Sequence, residues 1–126
     1  MPQKVMMIDD EAGIAKVVGL TAERLGLDFR SVTTPEHAVD QFLEYNPDIV
    51  FLDMIMPGKD GIDVLNEILA TGVPTKIVLV SGYGDGYLNL AEGLGAFHGS
   101  DRFPILKKPF RNAQLVELLT GMTNGA

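Results

Sequence analysis

The chain has 126 residues, the size of one ordinary domain. Acidic residues outnumber basic ones by 17 to 10, and the net charge of -7 argues against direct, charge-driven binding to nucleic acid. The sequence contains no cysteine, which excludes disulfides, thiolate metal sites and cysteine nucleophiles. No apolar run reaches the length of a membrane span, and a strand-like run begins at Val5, too early for a signal peptide. We therefore expect a cytoplasmic protein that contacts neither membrane nor nucleic acid directly.

Short apolar runs alternate along the chain with longer stretches of helical periodicity. The runs predict five strands: Val5–Ile8, Phe29–Val32, Ile49–Leu52, Ile77–Val80 and Phe103–Leu106. Most of these runs are nearly unbroken, which is typical of strands buried on both faces of a parallel sheet.

Between the strands, apolar residues recur with the period of a helix that has one apolar face. The predicted faces are Ile14, Val17, Val18, Thr21 and Leu25; then Ala38, Val39, Phe42 and Leu43; then Ile62, Leu65, Ile68 and Leu69; and finally Leu115, Leu118 and Leu119. Thr34-Pro35 predicts the start of the second helix and Asn46-Pro47 its end, while Gly72 and Pro74 close the third. The glycine-rich segment 82–99 predicts only a short or poorly defined helix.

This order of elements is a (βα) unit repeated five times. It predicts a doubly wound α/β fold, with a five-stranded parallel sheet and helices on both faces. In such folds ligands bind beyond the carboxyl ends of the strands.

Polar side chains follow four of the five predicted strands at that edge. They are Asp9, Asp10 and Glu11 after the first strand, Asp53 after the third, Ser81 after the fourth, and Lys107 and Lys108 after the fifth. Crowded carboxylates repel one another unless a cation lies among them, and oxygen ligands without histidine or cysteine favour Mg²⁺. A lysine and a hydroxyl suit phosphoryl oxygens, and a carboxylate can act as a nucleophile and form an aspartyl phosphate. These residues therefore predict a Mg²⁺-dependent site for phosphoryl chemistry.

Four segments of the sequence, in this order, resemble the receiver domain of two-component response regulators. They are Met7–Glu11, Ile49–Gly61, Val80–Gly82 and Leu106–Phe110. The resemblance extends from end to end and implies a flavodoxin-like fold. In that family an aspartate at the end of the third strand accepts a phosphoryl group from a histidine kinase.

The resemblance implies a role for each matching acidic position. Asp53 corresponds to the phosphoacceptor, and together with Asp10 and Asp9 it would bind Mg²⁺, Asp10 directly and Asp9 through water. The backbone carbonyl of Ile55 would be a further ligand.

The same resemblance implies roles for the later segments. Ser81 corresponds to the switch hydroxyl, and Lys108 to the lysine that contacts the phosphoryl oxygens. Lys107 is its neighbour, but the alternation of side chains along a strand would direct it elsewhere. The Lys108–Pro109 bond is expected to be cis.

Two features depart from the family pattern. Three residues before Lys108, relatives carry tyrosine or phenylalanine as a switch residue, whereas this chain has Ile105. The stretch 93–104 also differs from the usual short turn. We therefore expect segment 82–99, with Tyr83 and Tyr87, to report activation more than the side chain at the candidate switch position Ile105.

The implied function is a regulatory binding module, not an enzyme, that consists of a single receiver domain over residues 1–126 without an output domain. Its implied partners are a sensor histidine kinase or a histidine phosphotransfer protein, and a downstream protein that the sequence does not identify. Three alternatives remain open. A receiver-like scaffold would bind partners without phosphorylation; an aspartyl-phosphate phosphatase would need a second aspartate where Ile55 stands; a flavin-binding protein would need a Ser/Thr-rich loop in place of the acids after the first strand.

Overall fold

Five parallel strands form one sheet in the order β2-β1-β3-β4-β5. The structure, a computed structural model, describes residues 3–56, 58–82 and 103–124. The strands are β1 (Lys4–Ile8), β2 (Asp28–Val32), β3 (Ile49–Asp53), β4 (Lys76–Ser81) and β5 (Ile105–Lys107). The described helices are α1 (Ala12–Arg24), α2 (Ala38–Tyr45), α3 (Gly61–Ala70) and α4 (Asn112–Asn124), with a short 3₁₀ turn over Pro35–His37.

Helices cover both faces of the sheet, as predicted. Side chains alternate between the faces along each strand, so that Val50 and Leu52 of β3 pack with the α2–α3 side, while Ile49 and Phe51 pack with the α1–α4 side. All five residues of β3 are buried, which explains why the apolar run in the sequence is unbroken.

The strand order places a topological switch point between β1 and β3. From β1 the chain crosses outward to β2, returns to β3 on the other side of β1, and then continues to β4 and β5. In doubly wound sheets the crevice at the carboxyl ends of two such strands is the usual ligand site. The first and third strands therefore deliver Asp9 and Asp53 to the same crevice.

The fifth strand differs from the prediction. The sequence predicts it over Phe103–Leu106, but the ladder with β4 runs over Ile105–Lys107. Phe103 packs against the core cluster on the α2–α3 side, and the Pro104 carbonyl still accepts a hydrogen bond of 2.9 Å from the Leu79 N–H. Phe103 is therefore apolar because its side chain packs against the core, although it lies before the residues that pair with β4.

The buried face of α1 also differs from the prediction. Val17 and Leu25, which the periodicity assigns to the buried face, are 46% and 38% exposed. Small residues form much of the real contact, because the ring of Phe29 lies against Gly19 at a distance that leaves no room for a Cβ atom. A helix packed this closely needs small side chains, which hydrophobic periodicity does not distinguish from polar ones.

The second helix begins and ends near the predicted signals, although one predicted core residue is wrong. The 3₁₀ turn at Pro35–His37 precedes α2, and Asn46 ends it with a left-handed backbone (φ 54°). Phe42 is fully buried, but Leu43 is 51% exposed.

The helix expected between β4 and β5 lies outside the described residues, as do Tyr83, Tyr87 and all of segment 82–99 except Gly82. Among the helices that the structure describes, none combines the length and apolar character needed to cross a membrane.

Candidate functional site

Two buried carboxylates mark the carboxyl edge of the sheet. Asp9 is fully buried and Asp53 is 2% exposed. Backbone hydrogen bonds hold the chain at both positions: the Asp9 N–H donates to the Val32 carbonyl (3.1 Å), and the Met54 N–H donates to the Val80 carbonyl (3.0 Å). Because β1 and β3 are adjacent strands, the sheet itself holds these two acids side by side.

Asp10 completes a group of three acids that fits a metal ion. Asp9, Asp10 and Asp53 each offer a carboxylate oxygen, and these oxygens lie within 4.8 Å of one another. Asp10 is exposed to solvent. Asp9 Oδ1 accepts a hydrogen bond from the Glu11 N–H (2.8 Å), but Asp9 Oδ2 is buried and has no well-aligned hydrogen-bond partner among the described residues. Buried polar atoms normally have a partner, and an all-oxygen group of acids with one such atom suits a hard cation such as Mg²⁺.

Lys108 brings a positive charge to this group. Its Nζ lies 3.2 Å from Asp9 Oδ2, 3.5 Å from Asp53 Oδ2 and 3.6 Å from Glu11 Oε1. The Lys108 N–H donates to the carbonyl of Ser81 (2.7 Å), so the end of β4 holds the backbone in place directly after β5. Neighbouring Lys107 is exposed, in agreement with the expected alternation.

The remaining predicted positions of the later segments lie in β4, in β5 and directly after β5. The Lys108–Pro109 bond is cis, as expected. Ser81 is the last residue of β4 and is 2% exposed. Ile105, at the start of β5, is 36% exposed.

Burial raises the pKa of Asp53 to about 7. The Ile55 N–H, which donates to Asp53 Oδ1 (3.2 Å), and the Lys108 ammonium lower this pKa, while the Asp9 carboxylate raises it further. For Lys108, burial alone would lower the pKa, but the carboxylates of Asp53, Asp9 and Glu11 outweigh it and raise the pKa above its usual value. Without a bound cation, Asp53 is therefore only partly ionised near neutral pH, although the positively charged Lys108 lies beside it.

Glu11 belongs to this arrangement, although sequence reasoning counts it only among the acids after the first strand and gives it no role of its own. Its ion pair with Lys108 joins the ends of β1 and β5, which are an interior strand and an edge strand of the sheet. The only signal in the sequence is its position directly after two acids that follow a strand. Spacing alone does not indicate where its side chain points.

A groove of about 410 Å³ opens beside Lys108. Apolar side chains line much of it, among them Ile14, Val17 and Phe110, and Glu11 also lies in its wall. The exposed Val17 of α1 therefore lines a groove next to the acidic cluster.

Comparison with known proteins gives consistent results. The family model for the response regulator receiver domain matches residues 5–120. The DNA-binding response regulator MtrA of Mycolicibacterium paratuberculosis is 32% identical over 117 residues, which are 92% of this chain and 49% of that protein. The chain thus spans about half the length of the curated relatives it matches.

Solved structures agree in fold. A response regulator receiver domain protein from Clostridium thermocellum has a TM-score of 0.81 and 27% identity, with 98% of this chain and 95% of that chain covered. The receiver domain of Francisella response regulator 1452 has a TM-score of 0.79 and 28% identity, with 98% of each chain covered. These comparisons give no support to a phosphatase, a flavin-binding protein or an unphosphorylated scaffold. With a family match over residues 5–120 and the same fold as these solved receiver domains, this chain belongs to the response regulator receiver domains.

Proposed function

We propose that Asp53 accepts a phosphoryl group from a sensor histidine kinase or a histidine phosphotransfer protein, and that the phosphorylated chain controls a downstream protein. The observation that carries the proposal is the convergence of Asp53, Asp9 and Lys108 within ion-pair distance at the switch point of the sheet. The family relationship supports the same role.

Asp10, Asp9, Asp53 and the backbone carbonyl of Ile55 are the groups that would hold Mg²⁺. When bound, the ion supplies positive charge that favours the ionised form of Asp53 and offsets the charge of the incoming phosphoryl oxygens.

The chain's own groups account for the remaining chemistry. An ionised Asp53 oxygen attacks phosphorus and forms the new P–O bond. The P–N bond of a phosphohistidine whose other ring nitrogen is protonated breaks, and neutral imidazole leaves with the bonding electrons. The Lys108 ammonium stays near the new phosphoryl group and balances its charge, while the Ser81 hydroxyl can donate a hydrogen bond to it. Both groups are already anchored, because the Lys108 N–H is bonded to the Ser81 carbonyl.

The chain would act on itself and turn over no separate substrate, in a cytoplasmic setting. The sequence expectation that it does not bind nucleic acid directly stays a prediction, because its relatives named as DNA-binding regulators are about twice as long.

Phosphorylation by acetyl phosphate tests the proposal. With Mg²⁺, the wild-type protein should gain the mass of one phosphoryl group, whereas Asp53→Asn or removal of Mg²⁺ should abolish the gain. Intact-mass spectrometry measures this, and peptide mapping locates the modified residue. A folded wild-type protein that acetyl phosphate, phosphoramidate and a phosphohistidine protein all fail to modify would favour the unphosphorylated scaffold.

A further inference from the structure

Glu11 lies at the solvent side of the Asp53 site. Its side chain is 60% exposed, and its Oε1 is 3.6 Å from Lys108 Nζ. The backbone is held in place, because the Glu11 N–H donates to Asp9 Oδ1 and the Glu11 carbonyl accepts from the Ala15 N–H in the first turn of α1. These hydrogen bonds fix the position of the Glu11 backbone, and its side chain lines the groove beside Lys108.

Negative charge exceeds positive charge around Lys108 among the described residues. The ammonium of Lys108 is near three carboxylates, those of Asp9, Asp53 and Glu11. Asp9 and Asp53 belong to the proposed metal site, where a cation would offset them. Glu11 is outside that group of three acids, and its exposed carboxylate adds negative charge on the solvent side of Lys108.

From this geometry we infer that Glu11 sets the phosphodonor preference of Asp53, and that it disfavours dianionic acyl phosphates relative to donors that carry the phosphoryl group on nitrogen. The inference rests on the proposed phosphoacceptor function of Asp53. A donor whose leaving nitrogen group is protonated carries one positive charge beside the phosphoryl dianion, so its net charge is less negative and the same carboxylate repels it less.

Two small donors separate this effect from others. Acetyl phosphate is a dianion at neutral pH: an Asp53 oxygen bonds to phosphorus, the P–O bond to the acetyl group breaks, and acetate leaves. Phosphoramidate is a net monoanion because its nitrogen is protonated: the P–N bond breaks, and ammonia leaves with no further proton needed. Both reactions form the same aspartyl phosphate, so that only the charge and the leaving group of the donor differ.

The experiment compares initial rates with both donors at saturating Mg²⁺ and equal ionic strength for wild type, Glu11→Gln and Glu11→Lys. Each unit of negative charge removed beside Lys108 should raise the acetyl phosphate rate by roughly two- to fivefold and the phosphoramidate rate by less. The ratio of the two rates should rise from wild type to Gln and again to Lys. Thermal melts confirm that the variants are folded.

Glu23 provides the matched control. It is also an exposed glutamate on the α1 segment, but about 18 Å farther along the helix axis at 1.5 Å per residue. Glu23→Gln and Glu23→Lys change the net charge equally, so they should leave the donor ratio unchanged. Raising the salt should shrink the effect of Glu11 variants, because the screening length falls from about 10 Å at 0.1 M to about 3 Å at 1 M.

Failure of this inference is distinguishable from failure of the proposed function. If Asp53 is phosphorylated but the donor ratio is the same in all Glu11 variants, Glu11 does not select donors and the phosphoacceptor role stands. A change that is equal for both donors would mean that Glu11 acts only by holding Lys108, which also overturns the inference. No phosphorylation from either donor would overturn the proposed function itself.

Discussion

The proposed role of Asp53 as phosphoacceptor makes two demands on this residue that conflict when no cation is bound. It must be buried to place its oxygen against a phosphoryl group away from competing water, yet burial favours its protonated form and raises its pKa to about 7. Lys108 only partly offsets this, since it also pairs with Asp9 and Glu11. The carboxylate proposed as nucleophile is thus incompletely ionised near neutral pH until more positive charge is bound.

This pKa predicts how stability depends on pH without metal. In the unfolded chain Asp53 has an ordinary pKa near 4, so between about pH 4 and 7 the folded state holds more protons than the unfolded state. The contribution of Asp53 to stability is therefore present below about pH 4 and is lost as pH rises towards 7. We expect Asp53→Asn, which cannot titrate, to be more stable than wild type at pH 8 by on the order of 2–4 kcal/mol, with the difference vanishing near pH 4.

Urea denaturation in chelator across this pH range measures the difference between the two proteins, and other titrating groups cancel in it. Mg²⁺ should reduce the difference at pH 8, because it stabilises only the protein that retains the carboxylate. A difference that is constant with pH would show that Asp53 has an ordinary pKa in the folded state.

Much of the candidate site could be predicted at the level of residue positions. The acids at the ends of β1 and β3 follow from strand ends that a parallel sheet brings to one edge. The alternation of side chains along β5, continued to the residue after it, distinguishes Lys108 from Lys107. Glu11 was different, because its contact depends on a side-chain rotamer and on where the loop after β5 returns. Neither is encoded in a local pattern.

At the scale of elements, the junction of β3 and α3 depends on one glycine. A Cβ at Gly61 would collide with the carbonyl oxygen of Asp53 and would lie 2.5 Å from Met54 Cα. These are backbone atoms at the end of a buried central strand, so they cannot move aside as a flexible side chain can. The absence of a side chain lets α3 begin directly against the strand that carries Asp53.

We expect Gly61→Ala to destabilise the protein by about 1–3 kcal/mol through overpacking, and to slow phosphorylation by displacing Asp53. Gly121→Ala is the control, because Gly121 lies in α4, where an added Cβ would meet no described atom within 4 Å; it should be neutral or stabilising by up to about 1 kcal/mol. Chemical denaturation and the acetyl phosphate rate measure the two effects. Equal stability of both alanine variants would mean that the close approach at Gly61 relaxes without cost.

The elements themselves could be predicted to the extent that hydrophobic pattern determines them. The buried β1, β3 and β4 have continuous apolar runs, and they appear within one residue of the predicted limits at each end. The pattern was less informative for α1 because small residues, not large ones, make its closest contact: Gly19 is packed against Phe29. The hydrophobic pattern placed β5 too early because Phe103 is apolar and packs against the core, but does not pair with β4.

At the scale of the whole molecule, signalling requires that the phosphoryl site be coupled to a surface. The usual aromatic position holds Ile105, which is 36% exposed and cannot swing a planar ring into a pocket. The expectation that segment 82–99 reports activation concerns residues outside those that the structure describes, and it stays a prediction. The described residues do show a direct connection between the site and that segment. Ser81 ends β4 immediately before the segment, and its carbonyl accepts a hydrogen bond from the Lys108 N–H.

Folding of the whole domain should be coupled to Mg²⁺ through the acids of β1 and β3. A ligand that binds only the folded state raises stability with its concentration, by about 2.7 kcal/mol at one hundred times its dissociation constant. Asp10 is exposed and belongs to the group of three carboxylates, so its removal should take away a ligand without opening a cavity. We expect Asp10→Ala to lose most of the Mg²⁺-dependent rise in Tm. Without metal the same variant should be slightly more stable than wild type, because one like charge has left the edge beside Asp9 and Asp53.

Thermal melts with Mg²⁺ and with chelator test both halves, and Asp40→Ala is the control. Asp40 is an exposed acid in the first turn of α2, where a negative charge is favourable at a helix N-terminus. Its removal should lower the metal-free Tm slightly and keep the full Mg²⁺ response, the opposite of Asp10→Ala on both counts. If Asp10→Ala retained the wild-type Mg²⁺ response, the metal would bind through other residues. If the metal-free Tm of Asp10→Ala fell as that of Asp40→Ala does, repulsion among the three acids would not limit the stability of the fold.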